Sequence, residues 1–213
     1  MPTVLPSVSI VVPCRNEKHY IAECLDSILA CDYPPDRLEV LVLDGMSDDG
    51  TRQVLADYSA GHALIRVLDN PQRITPVALN LAIRAASGDV IVRMDAHVVY
   101  PKNYVSRLVA ALDEFGADNV GAVLRTLPAN QSPMGRAIAI GMSHPFGVGT
   151  SYFRIGTDQP RWVDTIAFFC VRRETFDRVG LFDEELIRHQ DGEFNARLIG
   201  AGGRILLIPD IVS

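Results

Sequence analysis

Short apolar runs alternate with amphipathic stretches along the first half of the chain. Residues 8–12, 40–43, 65–68 and 90–94 are rich in aliphatic side chains, which is typical of short buried strands. Between these runs, apolar residues recur at the three- and four-residue spacing of a helix that buries one face. Three successive strand–helix units predict an α/β fold with a central, mostly parallel sheet flanked by helices and joined by right-handed crossovers.

Proline and threonine residues indicate where some of these elements end. Pro13 is expected to end the first strand, because proline cannot donate to a sheet ladder. Thr75 is expected to cap a helix that has Pro76 in its first position and runs to about Ala86.

The pattern loosens after His97. Residues 121–127 and 162–171 each predict one strand. From Ala129 to Gln159 no period holds and Gly and Pro are frequent, so we expect a short helix followed by a mobile loop. Further helices are expected at residues 104–115, 173–179 and 191–201, and a last strand at residues 204–208.

The composition narrows the class of protein. Apolar residues make up 48% of the 213 residues, which is enough for a full core, and the formal net charge is −6. No run of Lys or Arg is present, which argues against a nucleic-acid-binding surface. The four cysteines form no CxxC pair, so neither a zinc site nor a disulfide framework is expected, and a reducing cytoplasm is the simpler setting.

Neither a signal peptide nor a membrane span is expected. The N-terminus lacks a basic region followed by a long apolar stretch. The longest uncharged run, residues 137–153, is broken by Gly, Ser and Pro and is too polar to cross a bilayer. A peripheral membrane contact stays open. The apolar run at residues 205–208 lies close to the last residue, so the chain can be a catalytic fragment of a longer protein.

Polar side chains follow the predicted strands at the points where the strands end. Asp44 closes the second strand, Asp95 and His97 close the fourth, and Arg15 and Glu17 follow the first. The carboxyl ends of parallel strands meet at one edge of a sheet, where ligands bind. On a continued strand Asp95 and His97 would point the same way. Such a pair can hold a divalent metal, a sugar hydroxyl or each other.

Two common nucleotide-binding motifs are absent from the sequence. Neither GxGxxG nor GxxxxGK follows the first strand, which argues against a dinucleotide fold and a P-loop. A nucleotide site would therefore use side chains: a carboxylate for the base or ribose, and a metal with Arg for the diphosphate.

An ordered set of motifs runs through the chain. The segments are residues 8–27 (VSIVVPCRNEKHYIAECLDS), 44–51 (DGMSDDGT), 70–80 (NPQRITPVALN), 95–97 (DAH), 172–173 (RR), 179–184 (VGLFDE) and 190–198 (QDGEFNARL). This set resembles the inverting family 2 glycosyltransferases of the GT-A fold, and the resemblance spans about residues 8–208. The DAH variant, the segment at Asp164 and the closing HQDGEFNARL look most like the succinoglycan-type exopolysaccharide branch.

The resemblance implies a nucleotide-binding role for several positions. Arg73 matches a basic position near the nucleotide, although it could also be a solvated surface charge, as could Arg15. The positions that match those holding uridine are Pro13, Arg15, Glu17 and Asp44.

The resemblance also implies a divalent cofactor, Mn²⁺ or Mg²⁺, with Asp95 and His97 as protein ligands. Asp95 matches the first acid of the family's DxD motif, which meets the ribose and the metal-bound diphosphate. At the position of His97, the family normally has an Asp that binds the metal directly. Imidazole suits Mn²⁺, whereas Mg²⁺ prefers oxygen, so either metal use shifts toward manganese or metal dependence weakens. A structural role for His97 is the alternative.

Asp191 matches the family's catalytic base. Its carboxylate would take the proton of the acceptor hydroxyl as that hydroxyl attacks. The plain alternative is an acid that complements the dipole at a helix N-terminus. Asp164 and Glu193 are expected on the acceptor side, and each could instead be a surface acid.

Together these observations predict one catalytic domain over residues 1–213, with a nucleotide-binding half at about 6–100 and an acceptor half at about 101–213. We expect an inverting hexosyltransferase that moves a sugar from a UDP-linked donor to a saccharide or lipid-linked saccharide, in the cytoplasm or at the inner face of the plasma membrane. A nucleotidyltransferase is the second hypothesis, but residues 13–16 lack the Gly-rich basic loop that a triphosphate needs. A non-catalytic nucleotide-sugar-binding module is the third.

Overall fold

The structure is a computed structural model that describes residues 5–128 and 130–213. Within these residues, eight strands form one sheet. The strands are β1 (Val8–Cys14), β2 (Leu38–Asp44), β3 (Ile65–Asp69), β4 (Val90–Arg93), β5 (Asn119–Val123), β6 (Arg161–Val163), β7 (Cys170–Arg172) and β8 (Ile205–Val212). Their order across the sheet is β3-β2-β1-β4-β7-β5-β8-β6.

Six of the strands run in one direction. β3, β2, β1 and β4 pair in parallel, and β5 and β8 form a second parallel pair. β7 is antiparallel to both β4 and β5, and β6 is antiparallel to β8. The expected α/β fold with a mostly parallel sheet is therefore confirmed.

Helices pack on both faces of the sheet. Apolar side chains of α1, α2 and α4 meet one face, and those of α3, α8 and α9 meet the other. No helix in the described part of the chain is both long and apolar enough to span a bilayer. The helices are α1 (Ile21–Leu29), α2 (Thr51–Gly61), α3 (Thr75–Ala85), α4 (Tyr104–Glu114), α5 (Pro133–Gly141), α6 (Pro145–Val148), α7 (Tyr152–Ile155), α8 (Glu174–Val179) and α9 (Gln190–Gly200).

β1 continues through the proline that was expected to end it. Pro13 is level with Leu43 of β2. The carbonyl of Val11 accepts from the amide of Met94, so the backbone groups of Val11 face β4, and alternation puts those of Pro13 on the same side. β4 has already ended at Arg93, which is level with Val11. The missing N–H of Pro13 therefore costs no ladder bond.

The expected cap of α3 is also wrong. Thr75 is the first residue of the helix, and Ile74 occupies the cap position without a side-chain cap bond. The preceding turn is held instead by Asn70, whose side-chain amide donates to the carbonyl of Ile74 at 2.9 Å.

The expected strand at residues 162–171 is two strands separated by an irregular segment. β6 pairs with β8 at one margin of the sheet, whereas β7 lies between β4 and β5. The chain must cross several strands to go from one place to the other, so no continuous strand is feasible. The expected strand at residues 121–127 is shifted toward the N-terminus, as β5.

The segment from Ala129 to Gln159 holds more helix than expected. Ala129 lies outside the described residues, and the part from residue 130 onward contains α5, α6 and α7 rather than one short helix and a loop. Helical spacing was hard to see because α6 and α7 each have only four residues. α5 and α6 approach closely at Gly141 and Gly147, where a Cβ on Gly147 would collide with the carbonyl oxygen of Gly141.

Candidate active site

A cleft of about 270 Å³ opens at the carboxyl ends of β1, β2 and β4. It lies at the edge of the sheet where ligands bind in open α/β folds. Six of the residues expected at the site from the sequence line this one cleft: Pro13, Arg15, Glu17, Arg73, Asp95 and His97. The full wall consists of Pro13, Cys14, Arg15, Glu17, Leu43, Gly45, Asn70, Arg73, Ile74, Thr75, Ala78, Arg93, Asp95 and His97.

The backbone turns sharply where the first three strands reach this cleft. Asn16, Met46 and Arg73 follow β1, β2 and β3, and they have φ values of 56°, 57° and 63°. Left-handed backbone is uncommon for residues other than glycine, and it is found most often at binding and catalytic sites. These turns reverse the chain at the strand ends and leave the cleft open.

Arg93, the last residue of β4, connects two of the expected site carboxylates. Its Nε donates to Oδ1 of Asp95 at 2.8 Å, and its Nη1 donates to Oδ1 of Asp191 at 2.5 Å. The Arg93 side chain is almost fully buried, and its guanidinium lies 5.5 Å from the ring centre of Phe168. Burial alone would lower the pKa of Arg93, but the two carboxylates raise it, so the guanidinium remains charged.

Asp191 lies in the first turn of α9, and its side chain is only 24% exposed. Burial raises the pKa of Asp191 to about 6, and the charge of Arg93 opposes that shift. His189, the residue immediately before α9, has left-handed backbone with φ of 63°. Asp191 is therefore a carboxylate with a pKa of about 6 that is not part of the cleft wall but is bonded to Arg93 of that wall, and through this arginine it is linked to Asp95. Such a group can accept a proton from a hydroxyl at neutral pH.

The expected pairing of Asp95 with His97 on a strand is wrong in its geometry. β4 ends at Arg93, and Asp95 and His97 lie in the turn that follows. The turn is held by Tyr100, whose hydroxyl accepts from the Asp95 amide at 2.6 Å. His97 Nδ1 lies 3.0 Å from Oε1 of Glu17, and this hydrogen bond raises the pKa of His97. Both side chains still face the same cleft.

The donor atoms near Asp95 and His97 suit a divalent ion that is shared with a substrate. Within residues 5–128 and 130–213, no group of three or more His, Cys, Asp or Glu side chains is placed to hold a metal by itself. Nε2 of His97 and the remaining lone pairs of Asp95 are the protein donors that this turn offers. Mg²⁺ and Mn²⁺ in phosphate-transfer sites commonly take one or two protein ligands and complete their shell with phosphate oxygens and water. The residues present therefore fit such an ion only together with a diphosphate.

Asp44 lies behind the cleft rather than on its wall. Its side chain is fully buried, and Nη1 of Arg52 donates to Oδ2 of Asp44 at 2.7 Å. The same guanidinium contacts Asp69 at 2.9 Å through Nη2. Contact between uridine and Asp44 would require Arg52 to move or to share the carboxylate. The uridine-binding role of Asp44 stays a prediction.

Two further residues expected on the acceptor side lie outside the cleft wall. Asp164 is exposed in the bend after β6, and Glu193 forms an ion pair with Arg197 one turn along α9. Arg197 also donates to the carbonyls of Val179 and Leu181, so this pair connects α9 to the segment after α8. Acceptor contacts for Asp164 and Glu193 stay predictions.

Sequence reasoning missed the role of Arg93. The available signal was an arginine within the apolar run 90–94, where a buried charge requires a partner.

Sequence reasoning also missed Asn195 on α9, whose side-chain amide donates to the carbonyl of Ile166 at 3.1 Å and accepts from the side chain of Asn119 at 3.1 Å. These bonds fix the segment that carries Ala167 and Phe168 against Arg93.

A mostly parallel sheet of this order, with a strand-end cleft lined by acids and arginines, is typical of the GT-A class of nucleotide-sugar transferases. Residues 9–181 match the protein family described as glycosyl transferase family 2. The chain belongs to glycosyl transferase family 2, as the motif order predicted.

Relatives support this assignment. Succinoglycan biosynthesis protein ExoA of Rhizobium meliloti (strain 1021) is 35% identical over 198 residues, which are 92% of this chain and 59% of ExoA. The Methanococcus voltae protein named dolichyl N-acetyl-alpha-D-glucosaminyl phosphate 3-beta-D-2,3-diacetamido-2,3-dideoxy-beta-D-glucuronosyltransferase is 27% identical over 214 residues, 97% of this chain and 65% of that protein. The chain thus spans about three fifths of the length of these relatives. The similarity to ExoA agrees with the resemblance to the succinoglycan-type branch.

Solved structures share the fold. Mannosyltransferase PcManGT from Pyrobaculum calidifontis, in complex with GDP-Man and Mn²⁺, superposes with a TM-score of 0.76 at 26% identity, over 100% of this chain and 58% of that one. S. aureus TarS 1-349, in complex with UDP-GlcNAc, superposes with a TM-score of 0.74 at 21% identity, over 97% of this chain and 58% of that one. Both show that the GT-A fold predicted from the sequence is present.

Proposed function

We propose that this chain is an inverting, metal-assisted glycosyltransferase domain with Asp191 as its general base. The donor is a nucleoside-diphosphate sugar linked to UDP, and the acceptor is a saccharide or a lipid-linked saccharide. The observation that supports this proposal is the bridge from Asp95 through Arg93 to Asp191, because one arginine of the cleft wall holds the proposed donor-side acid next to the proposed base.

Transfer with inversion is a single in-line displacement at the anomeric carbon. The acceptor oxygen forms the new glycosidic bond, the bond from the anomeric carbon to the diphosphate oxygen breaks, and the nucleoside diphosphate leaves with the electron pair. The acceptor hydroxyl loses its proton to a base within about 3 Å. With a pKa near 6, Asp191 is mostly ionised at neutral pH and can take that proton.

The donor side needs positive charge, because the leaving diphosphate gains negative charge during the reaction. Arg15 and Arg73 line the cleft and are exposed to an incoming ligand. A divalent cation held by Asp95 and His97 would stabilise the diphosphate as it leaves. The complex of PcManGT with GDP-Man and Mn²⁺ supports a metal-bound donor in this family.

The proposed chemical class of the acceptor is based on the names of two relatives. The Methanococcus voltae relative is named for a dolichyl-linked acceptor, and ExoA is named for succinoglycan biosynthesis. A lipid-linked saccharide acceptor would place the domain in the cytoplasm, at the inner face of the plasma membrane, in peripheral contact with lipid.

A panel of UDP- and GDP-linked sugars tests the proposal. Isothermal calorimetry should show that UDP binds and that its affinity increases with Mn²⁺, and slow donor hydrolysis should release UDP. Absence of UDP binding with and without metal would reject the donor site. Release of pyrophosphate from a nucleoside triphosphate would instead identify a nucleotidyltransferase. Metal-dependent binding without turnover on any acceptor would identify a binding module.

Replacement of His97 by Ala should weaken Mn²⁺-dependent UDP binding by about tenfold, because one of two proposed protein ligands is removed. UDP binding in the presence of a chelator should change little. Calorimetry with and without Mn²⁺ measures both quantities, and His19→Ala, at an exposed position outside the cleft wall, is the matched control. Unchanged Mn²⁺ dependence in His97→Ala would show that Asp95 acts without it.

A further inference from the structure

Four large apolar side chains of α5 and α6 face solvent. Met134, Ile138 and Ile140 on α5 are each more than half exposed, and Phe146 on α6 is 97% exposed. Together they form what is called here the α5–α6 face. On α5 these side chains and Ala137 occupy a broad arc, whereas Ala139 on the opposite side is buried. An amphipathic helix normally turns such an arc toward the core, so this face is suited to an apolar partner.

The face is held in place by contacts at its base. α7 packs Tyr152 and Phe153 against the core beside β8, and the carbonyl of Phe153 accepts from the amide of Leu124 at 2.7 Å. The close contact between Gly147 and Gly141 fixes the turn from α5 to α6. Phe146 therefore projects outward from a supported hairpin.

The charge of this region differs from that of the chain as a whole. Residues 119–157 contain Arg125, Arg136 and Arg154 but no Asp or Glu, although the whole chain has a formal charge of −6. An anionic surface would attract this region and repel most of the remaining surface. Exposed apolar side chains beside arginines are the pattern of proteins that lie on anionic lipid.

The chain leaves the sheet toward the α5–α6 face at the same edge of the sheet that carries the cleft. β7 is antiparallel to both β4 and β5, so β4 and β5 run in the same direction. Val120 of β5 and Val92 of β4 are both level with Cys170. β5 therefore ends, at Val123, at about the height of Asp95. The segment that leads to the α5–α6 face begins one residue later.

We propose that the α5–α6 face docks the domain onto an anionic phospholipid bilayer. Phe146 and the apolar side chains of α5 enter the interface while the neighbouring arginines contact lipid phosphates. The cleft then opens toward the bilayer surface, where the saccharide of a lipid-linked acceptor would lie. This last step rests on the proposed function, whereas docking itself depends only on the surface.

Vesicle flotation of the 213-residue chain tests docking without any donor or acceptor. The chain should float with vesicles of phosphatidylcholine and phosphatidylglycerol in equal parts, and at least tenfold less with phosphatidylcholine alone. High salt should reduce flotation, because it screens the arginines. Ile138→Ser with Phe146→Ser should reduce binding about tenfold or more. Arg136→Glu should reduce it roughly 20-fold, since each charge near an anionic surface is worth about fivefold.

The matched controls carry equivalent changes away from the face. Ile199→Ser on α9 and Arg84→Glu on α3 alter exposed side chains and should retain vesicle binding. Circular dichroism and UDP binding verify the fold of each variant. Absence of flotation, equal flotation with neutral vesicles or equal loss in the controls would overturn the proposal. Dimerisation that Phe146→Ser abolishes, without vesicle binding, would assign the face to a second copy. A chain that floats but does not bind UDP would retain docking and reject the proposed function.

Discussion

Replacement of Asp191 by Asn should lower the turnover number for sugar transfer by about 1,000-fold while UDP affinity stays within about twofold. Asn preserves the shape of the side chain and can still accept from Arg93, but it cannot take the acceptor proton, and general-base catalysis typically contributes 10²–10⁴-fold. Asp95, the proposed donor-side acid, contacts a different part of the Arg93 guanidinium from Asp191, so donor binding should be retained.

Transfer rates and calorimetry measure the two quantities in the same preparation. Asp177→Asn is the matched control, because it removes an exposed carboxylate on α8 outside the cleft wall. Transfer by Asp191→Asn at more than a tenth of the original rate would reject the base assignment. Loss of UDP binding in the same variant would point to a structural role instead.

The same substitution should stabilise the protein at high pH. The pKa of Asp191 is raised from 3.8 to about 6 on folding, so the protonated carboxyl favours the folded state. The resulting contribution to the free energy of unfolding is fully present below pH 4 and is lost as pH rises through 6. An Asn does not ionise and avoids this loss. Urea denaturation should show Asp191→Asn to be more stable by about 2 kcal/mol at pH 8, with a smaller difference at pH 5.

Replacement of Arg93 by Met should shift the acid limb of the rate profile to higher pH. In the original chain, kcat/KM should rise with pH and level off above about 6, as Asp191 ionises. Without Arg93 the pKa of Asp191 increases further, because the opposing positive charge is gone and Asp95 remains nearby. We expect a shift of at least one pH unit and, because the ionised fraction of Asp191 at pH 6 then falls from about one half to about one eleventh, a loss of at least about fivefold in kcat/KM at pH 6.

Arg93→Lys separates charge from geometry. Lysine keeps the positive charge but cannot contact two carboxylates with a planar fork, so the pH profile should return toward the original while the rate recovers only in part. Because Arg93 is buried, Met could also unfold the domain, and thermal denaturation of both variants checks this. An unchanged acid limb in a folded Arg93→Met variant would show that Arg93 does not control the ionisation of Asp191.

The N-terminal half of the fold could be predicted from the sequence because its elements are long and regular. Along the chain, the strands β1 to β4 alternate with the helices that cover the sheet. The local sequence pattern and the topology of this half of the sheet therefore agree. β7 shows the opposite case. It inserts between β4 and β5, which are distant in sequence, and nothing within residues 162–171 indicates that the chain leaves one strand partner for another.

The location of the candidate site could be predicted because the carboxyl ends of parallel strands meet at one edge of a sheet. That rule, together with the family motifs, placed Arg15, Glu17 and Asp95 in one cleft. It could not show that Arg52 covers Asp44, because a contact from the start of α2 back to the end of β2, eight residues earlier in the chain, is visible only once the side chains are placed. It also could not show that Arg93 links Asp95 to Asp191, since that contact spans 98 residues of sequence.

Pro13 has a consequence for how far two neighbouring strands can pair. If β4 continued, Asp95 would come level with Pro13, and the ladder would need an N–H at Pro13 to donate to Met94. Proline supplies none, and pairing between β1 and β4 stops at Val11, three residues short of the end of β1. Pro13 and Arg93 both line the cleft, so the cleft begins where the two strands cease to pair. A substitution such as Pro13→Val should let the two strands pair further and narrow the space in which a nucleotide would lie.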